Sequence, residues 1–181
     1  TTAFYIILTL IFATCVSFDY HFKKEMETDI INTSGPPPAI GTKVPYFEVL
    51  GQDNSILSND HFSGNKHLLI LWDVKCPFSI DLLENISYLK SDLADSRIHV
   101  KLIQLHNNSR SEDTDAQNLL QEKGIDFPAF QDSDKSVKWA FNASQRPAMY
   151  LVDEDGAIVY RQIGYNEQVF NMLKTLVSQE N

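Results

Sequence analysis

The stretch LILWDVKCPFSIDLLENI, residues 69–86, decides how the rest of the chain is read. Its first half is an unbroken apolar run of strand length. Its second half places Leu82, Leu83 and Ile86 at helical spacing. Apolar residues at i, i+1 and i+4 mark one face of a helix, whereas a continuous apolar run marks a strand covered on both faces. Between the halves stand Cys76 and Pro77. Proline suits the first turn of a helix, where its missing N–H costs nothing. Cys76 therefore sits at a helix N-terminus, whose unpaired N–H groups and dipole favour a negative charge on sulfur. Lys75 adds a cation next to it. These residues suit a nucleophilic thiolate. The competing reading is a buried, inert cysteine that closes a strand.

The chain has 181 residues, enough for one domain with a sizeable core plus an extension. Its formal net charge of -9 argues against binding nucleic acid, whose phosphates would repel it. The two cysteines, Cys15 and Cys76, form no disulfide framework or familiar zinc spacing. Residues 1–18, TTAFYIILTLIFATCVSF, carry no charge. As a helix they would reach about 27 Å, which fits either a short membrane anchor or the apolar core of an uncleaved signal. The segment ends in an aromatic and basic cluster, Phe18, Tyr20, His21, Phe22, Lys23 and Lys24, which suits a membrane interface. Cys15 then reads as a small apolar residue of that helix. Residues 19–39 turn polar and end in SGPPPA, a stiff, extended linker. The domain is expected over 40–181.

Strands and helices alternate along that domain. VPYFEVL (44–50) reads as a short strand and Gln52-Asp53-Asn54 as a turn. HLLILWDV (67–74) is the doubly buried strand, and 79–94 a helix carrying Leu82, Leu83, Ile86, Leu89 and Leu93 inward. RIHVKLIQLH (97–106) alternates as a strand. A helix over 112–123 stops at Gly124, and 136–141 is a short helix. AMYLVDEDGAIVYRQIG (148–164) is a hairpin turning at Asp155-Gly156. The last helix, 168–178, turns Val169, Met172, Leu173 and Leu176 inward. The fold class is α/β, a central mixed β-sheet flanked by helices, plus an N-terminal membrane helix.

Trp72, Cys76, Pro77 and the following helix resemble the W-x-x-x-C-x-x-C site of thioredoxin-fold proteins. GTKVPYFEVL resembles the entry strand of the membrane-anchored TlpA/ResA-like redoxins of bacterial envelopes. The stretch from GIDFPAF to RQIGY resembles their later half. The resemblance covers residues 40–178 and implies a thioredoxin-like fold and thiol–disulfide chemistry. It makes Pro147 the family's cis-proline, facing the cysteine. The preceding residue, Arg146, would then offer backbone hydrogen bonds to an extended substrate. Catalytic roles fall to Cys76, Ser79 and Pro147, and substrate binding or thiolate tuning to Trp72, Lys75, Pro77, Phe78 and Arg146.

Three departures from the family pattern matter. Ser79 stands where the second cysteine belongs, Ile70 where a buried carboxylate belongs, and Lys75 where an aromatic or small residue is usual. Disulfide exchange by a dithiol enzyme needs one sulfur to attack and another to release the product. Ser79 can hydrogen-bond a thiolate but cannot resolve a mixed disulfide. Arg146 has two readings, a solvated surface residue or, with Lys75, part of a positive patch near the sulfur. A peroxidase would want threonine three residues before the cysteine, and Asp73 stands there. His61, His67, His99 and His106 are scattered without helical pair spacing and read as structural or surface residues. No metal or other cofactor is expected.

Two functions remain. One is a single-cysteine exchange protein of the cell envelope, anchored by residues 1–18 with its domain in the periplasm or cell exterior. The other is a non-catalytic accessory subunit of a membrane complex. The expected partners are proteins: a cysteine-containing substrate in the first case, the membrane complex in the second.

Overall fold

The computed structural model describes residues 35–51, 53–105 and 111–179, without the side chains at 111–114, 176 and 179. The chain divides into two units, Thr1–Gly35 and Pro36–Asn181. The expected anchor at 1–18 with Cys15, and most of the linker, lie outside the described residues, as do Gln52 and His106. Among the described residues no helix is long and apolar enough to cross a membrane.

The second unit is built on β3 (Lys66–Trp72). Its residues Leu68 to Trp72 are at most 3% exposed, as the apolar run demands. Successive side chains of a strand point to opposite faces, so β3 divides its apolar set between two cores. Leu68, Ile70 and Trp72 face one, and Leu69 and Leu71 the other. β4 (Ile98–Leu105) pairs with β3 in parallel, and β6 (Ala148–Val152) pairs with its other side antiparallel. The remaining strands are β1 (Glu48–Gly51), β2 (Ile56–Ser58), β5 (Ala129–Asp132) and β7 (Ile158–Ile163). The sheet runs β2-β1-β5-β4-β3-β6-β7, with parallel pairs only at its centre. It is the mixed sheet expected from the sequence.

Parallel neighbours require crossovers, and helices supply them. α1 (Pro77–Ser87) and α2 (Lys90–Asp95) link β3 to β4, and α3 (Ser111–Glu122) links β4 to β5. Together with α5 (Glu167–Gln179) they cover the first core, where Leu82, Leu83, Ile86, Leu93, Val169 and Leu173 are buried. On the opposite face, α4 (Ser136–Ala140) and Phe47, Phe62, Phe141 and Tyr150 form the second core. Its rings meet edge to face, with Phe141 and Tyr150 4.9 Å apart.

Several elements differ from expectation. The helix expected over 79–94 is two helices, beginning at Pro77. Leu89 leaves helical geometry at φ −95°, ψ 10°, and its N–H donates to Ile86 O at 2.9 Å, tightening the turn. Leu89 and Leu93 are nevertheless both buried, as their apolar character requires. β2 and β5 have no counterpart in the sequence reading. In α5, Val177 joins Val169 and Leu173 in the core, while Met172 is only partly buried. The β6–β7 hairpin turns as expected. Asp153 Oδ1 accepts hydrogen bonds from Asp155 N and Ala157 N, and Gly156 takes φ +78°. The end of the proline run belongs to this unit too. Arg161 Nη1 donates to Pro37 O and Pro38 O at 2.8 and 2.9 Å, and Gly41 N–H to Ile158 O.

Candidate functional site

The site forms where β3 runs out. After Trp72 the chain makes a turn, closed by a hydrogen bond from Cys76 N–H to Asp73 O at 3.0 Å. The Asp73 side chain supports the same turn, its Oδ1 accepting from Lys75 N–H at 2.9 Å. Aspartate is suited to this because its short carboxylate reaches the backbone two residues on. Cys76 is the N-cap of α1 and Pro77 its first residue, as the sequence predicts. Cys76 O accepts from Ser79 N–H and Ile80 N–H, which starts the helix. The sulfur therefore lies at the positive end of the α1 dipole, although its side chain makes no capping hydrogen bond.

Seventy residues later the chain returns to face it. The Arg146–Pro147 peptide is cis, and Arg146 O lies 3.6 Å from Cys76 Sγ as a hydrogen-bond acceptor. Cys76 is a free, partly exposed thiol. Lys75, Pro77 and Phe78 surround it on the surface, Phe78 being 59% exposed. Pro147 is buried beneath, and Trp72 is 1% exposed within the first core. Trp72 thus underlies the turn and offers no surface to a partner; its Nε1–H is buried without an acceptor. Ile70, at the position of the family's carboxylate, is an ordinary core residue at 0% exposure.

Two candidate residues make other contacts than the sequence suggested. Ser79 is fully buried, and its Oγ accepts from Asp73 N–H at 3.3 Å. The serine hydroxyl holds the turn; it is not bonded to the sulfur. Arg146 is neither a solvated surface residue nor half of a positive patch. Its Nη1 donates to Asp73 Oδ2 at 2.6 Å, in an ion pair whose side chains are 15% and 5% exposed. The carboxylate offsets the guanidinium charge, while Lys75, next to Cys76 in the chain, is exposed. The importance of Asp73 was missed from sequence. Its only sequence signal was an acidic residue directly after a doubly buried strand.

Two cavities, of about 720 and 630 Å³, lie away from the cysteine. The first is bordered by Lys66, Arg97 and Glu154, the second by Gln117, Phe127 and Pro128. Neither of these two is lined by Cys76. Among the described residues no cluster of three or more His, Cys, Asp or Glu side chains could hold a metal ion.

The fold is shared with known structures. A candidate thiol:disulfide interchange protein DsbE from Chlorobium tepidum superposes with a TM-score of 0.69 at 15% identity, over 78% of this chain and 97% of that one. The thioredoxin domain of a thiol-disulfide oxidoreductase from Bacteroides vulgatus gives 0.62 at 18% identity, over 77% and 99%. StoA from Bacillus subtilis gives 0.59 at 19% identity, over 75% and 99%. At such identities the likeness carries the fold alone, which is thioredoxin-like. No curated protein matches the sequence. The model of the AhpC/TSA family matches residues 40–161, which is most of the chain and takes in the cysteine turn, the cis-proline and β6, and the chain belongs to that family.

Proposed function

We propose that this chain is a single-cysteine thiol–disulfide exchange protein acting on protein partners. The observation that carries the reading is Cys76 Sγ, partly exposed at the start of α1 and 3.6 Å from the backbone carbonyl of Arg146. The thiolate of Cys76 attacks one sulfur of a partner disulfide. The S–S bond breaks, the other partner sulfur leaves as a thiolate, and a mixed disulfide with Cys76 remains. Ser79 supplies no second thiol, so an external thiolate must attack the partner sulfur of that mixed disulfide, which releases Cys76 as a thiolate and leaves a disulfide between the external sulfur and the partner. Electrons balance through the two thiols and no further cofactor is needed. The surface setting, with Phe78 exposed beside the sulfur, favours a macromolecular partner over a small enclosed ligand.

The TlpA/ResA-like resemblance and the apolar run at 1–18 both support a single-pass N-terminal anchor with the domain outside the cytoplasm. The linker over 19–39 would give it reach. A second reading, a docking subunit without chemistry, is favoured by one feature: Ser79 is fully buried and bonded to Asp73 N–H, a settled place for a serine. Acid-quenched membranes, alkylated and digested, separate the two. Exchange predicts a fraction of Cys76 peptides bridged to a partner cysteine. Docking predicts Cys76 wholly free and an assembly that survives Cys76→Ala intact.

A further inference from the structure

The buried ion pair joins the two halves of the site. Asp73 touches three separate pieces: the Cys76 turn through Lys75 N–H, α1 through Ser79, and the Arg146 guanidinium. Arg146 in turn presents its carbonyl to the sulfur. Its Nε–H is buried with no acceptor, so the carboxylate is what holds the guanidinium in place. An arginine beside a thiolate ordinarily draws anions to it; one neutralised by a buried carboxylate does not. We propose that Asp73 is a positioning residue that fixes the Arg146 turn against Cys76 and masks the Arg146 charge, so that Arg146 adds no preference for acidic partner segments.

The inference rests on Cys76 being the exchanging sulfur, and the test separates the two. Native protein is alkylated at neutral pH with iodoacetamide, which is neutral, and with iodoacetate, an anion. Both react with the thiolate, so the ratio of their rates cancels the thiolate fraction and reads the local charge. Asp73→Asn keeps the shape and removes the masking charge. The iodoacetate rate should rise relative to iodoacetamide by about fivefold, the factor a single unit charge exerts several Å away in a partly wet medium. Adding Arg146→Gln to Asp73→Asn should return the ratio to the wild-type value, and circular dichroism should show both variants folded. Mere loosening of the fold would raise both rates together and leave the ratio alone. An unchanged ratio in Asp73→Asn, or one that Arg146→Gln fails to reverse, overturns the proposal. Failure of the exchange reading looks different: neither reagent modifies native wild-type Cys76, and the inference built upon that sulfur falls with it.

Discussion

Acidification should unfold this domain through one histidine. His67 opens the buried part of β3 and is 5% exposed, and neither ring nitrogen has a hydrogen-bond partner. It packs 5.0 Å from the Phe62 ring and 5.5 Å from the His99 ring. Burial, aided by the charges of His99, Lys101 and His61, pushes its pKa down from 6.5 to about 4. The unfolded chain therefore takes up this proton near pH 6.5, while the native state resists until about pH 4. Stability from this source is fully present above 6.5 and lost as the pH falls to 4. At about 1.4 kcal/mol per pH unit the loss is about 3 kcal/mol, a large share of an ordinary domain's stability. The assay is urea unfolding of wild type and His67→Phe between pH 7 and pH 4.5, followed by tryptophan fluorescence. Carboxylates titrate in both proteins and cancel in the difference. The variant should gain on the wild type steadily through that window, by most of the 3 kcal/mol. Parallel curves, within about 0.5 kcal/mol, would refute the reasoning, because His67 would then bind its proton alike in both states.

Substitutions at three positions test the packing of the fold. Tyr150→Phe should be neutral or stabilising by up to about 1 kcal/mol in the same unfolding assay, since the Tyr150 hydroxyl is buried without a partner. Gly156→Ala should destabilise by about 1–3 kcal/mol. Gly156 has φ +78°, and a Cβ there would lie 2.9 Å from Phe62 O, a backbone atom with little room to yield. Asp132→Ala should cost about 2–4 kcal/mol. Asp132 is fully buried and its carboxylate accepts from Val137 N–H at 2.9 Å and Lys138 N–H at 2.8 Å, so losing it leaves the start of α4 without those acceptors. Asp132→Asn, which keeps one acceptor, should cost less, and equal losses would count against this account of the cap.

Much of the site could be read from local sequence because its main features are local. An apolar run fixed β3, Pro77 fixed the start of α1, and Asp155-Gly156 fixed the hairpin. What escaped was long-range. Asp73 and Arg146 are 73 positions apart, and no property of either residue alone announces the other. The facing of His67 and His99 likewise comes from parallel register between β3 and β4, which helical spacing rules do not address. β5 was missed because AFQD is only four residues long and mixes polar with apolar residues. The break between α1 and α2 falls at Tyr88-Leu89, without glycine or proline to mark it. Ser79 was recognised as a substitution, yet its hydrogen bond to Asp73 N–H depends on a turn geometry that sequence does not show.

The central claim is that Cys76 captures a disulfide and cannot let go unaided. The most direct measurement is intact-mass spectrometry of the native protein after it is mixed with a short peptide disulfide and quenched with acid over time. The account predicts one peptide added at Cys76, persisting until an external thiol is supplied, and self-release at least about tenfold faster in Ser79→Cys, where a resolving thiol stands one helical turn away. A native Cys76 that stays unmodified while the urea-unfolded chain reacts readily would contradict it.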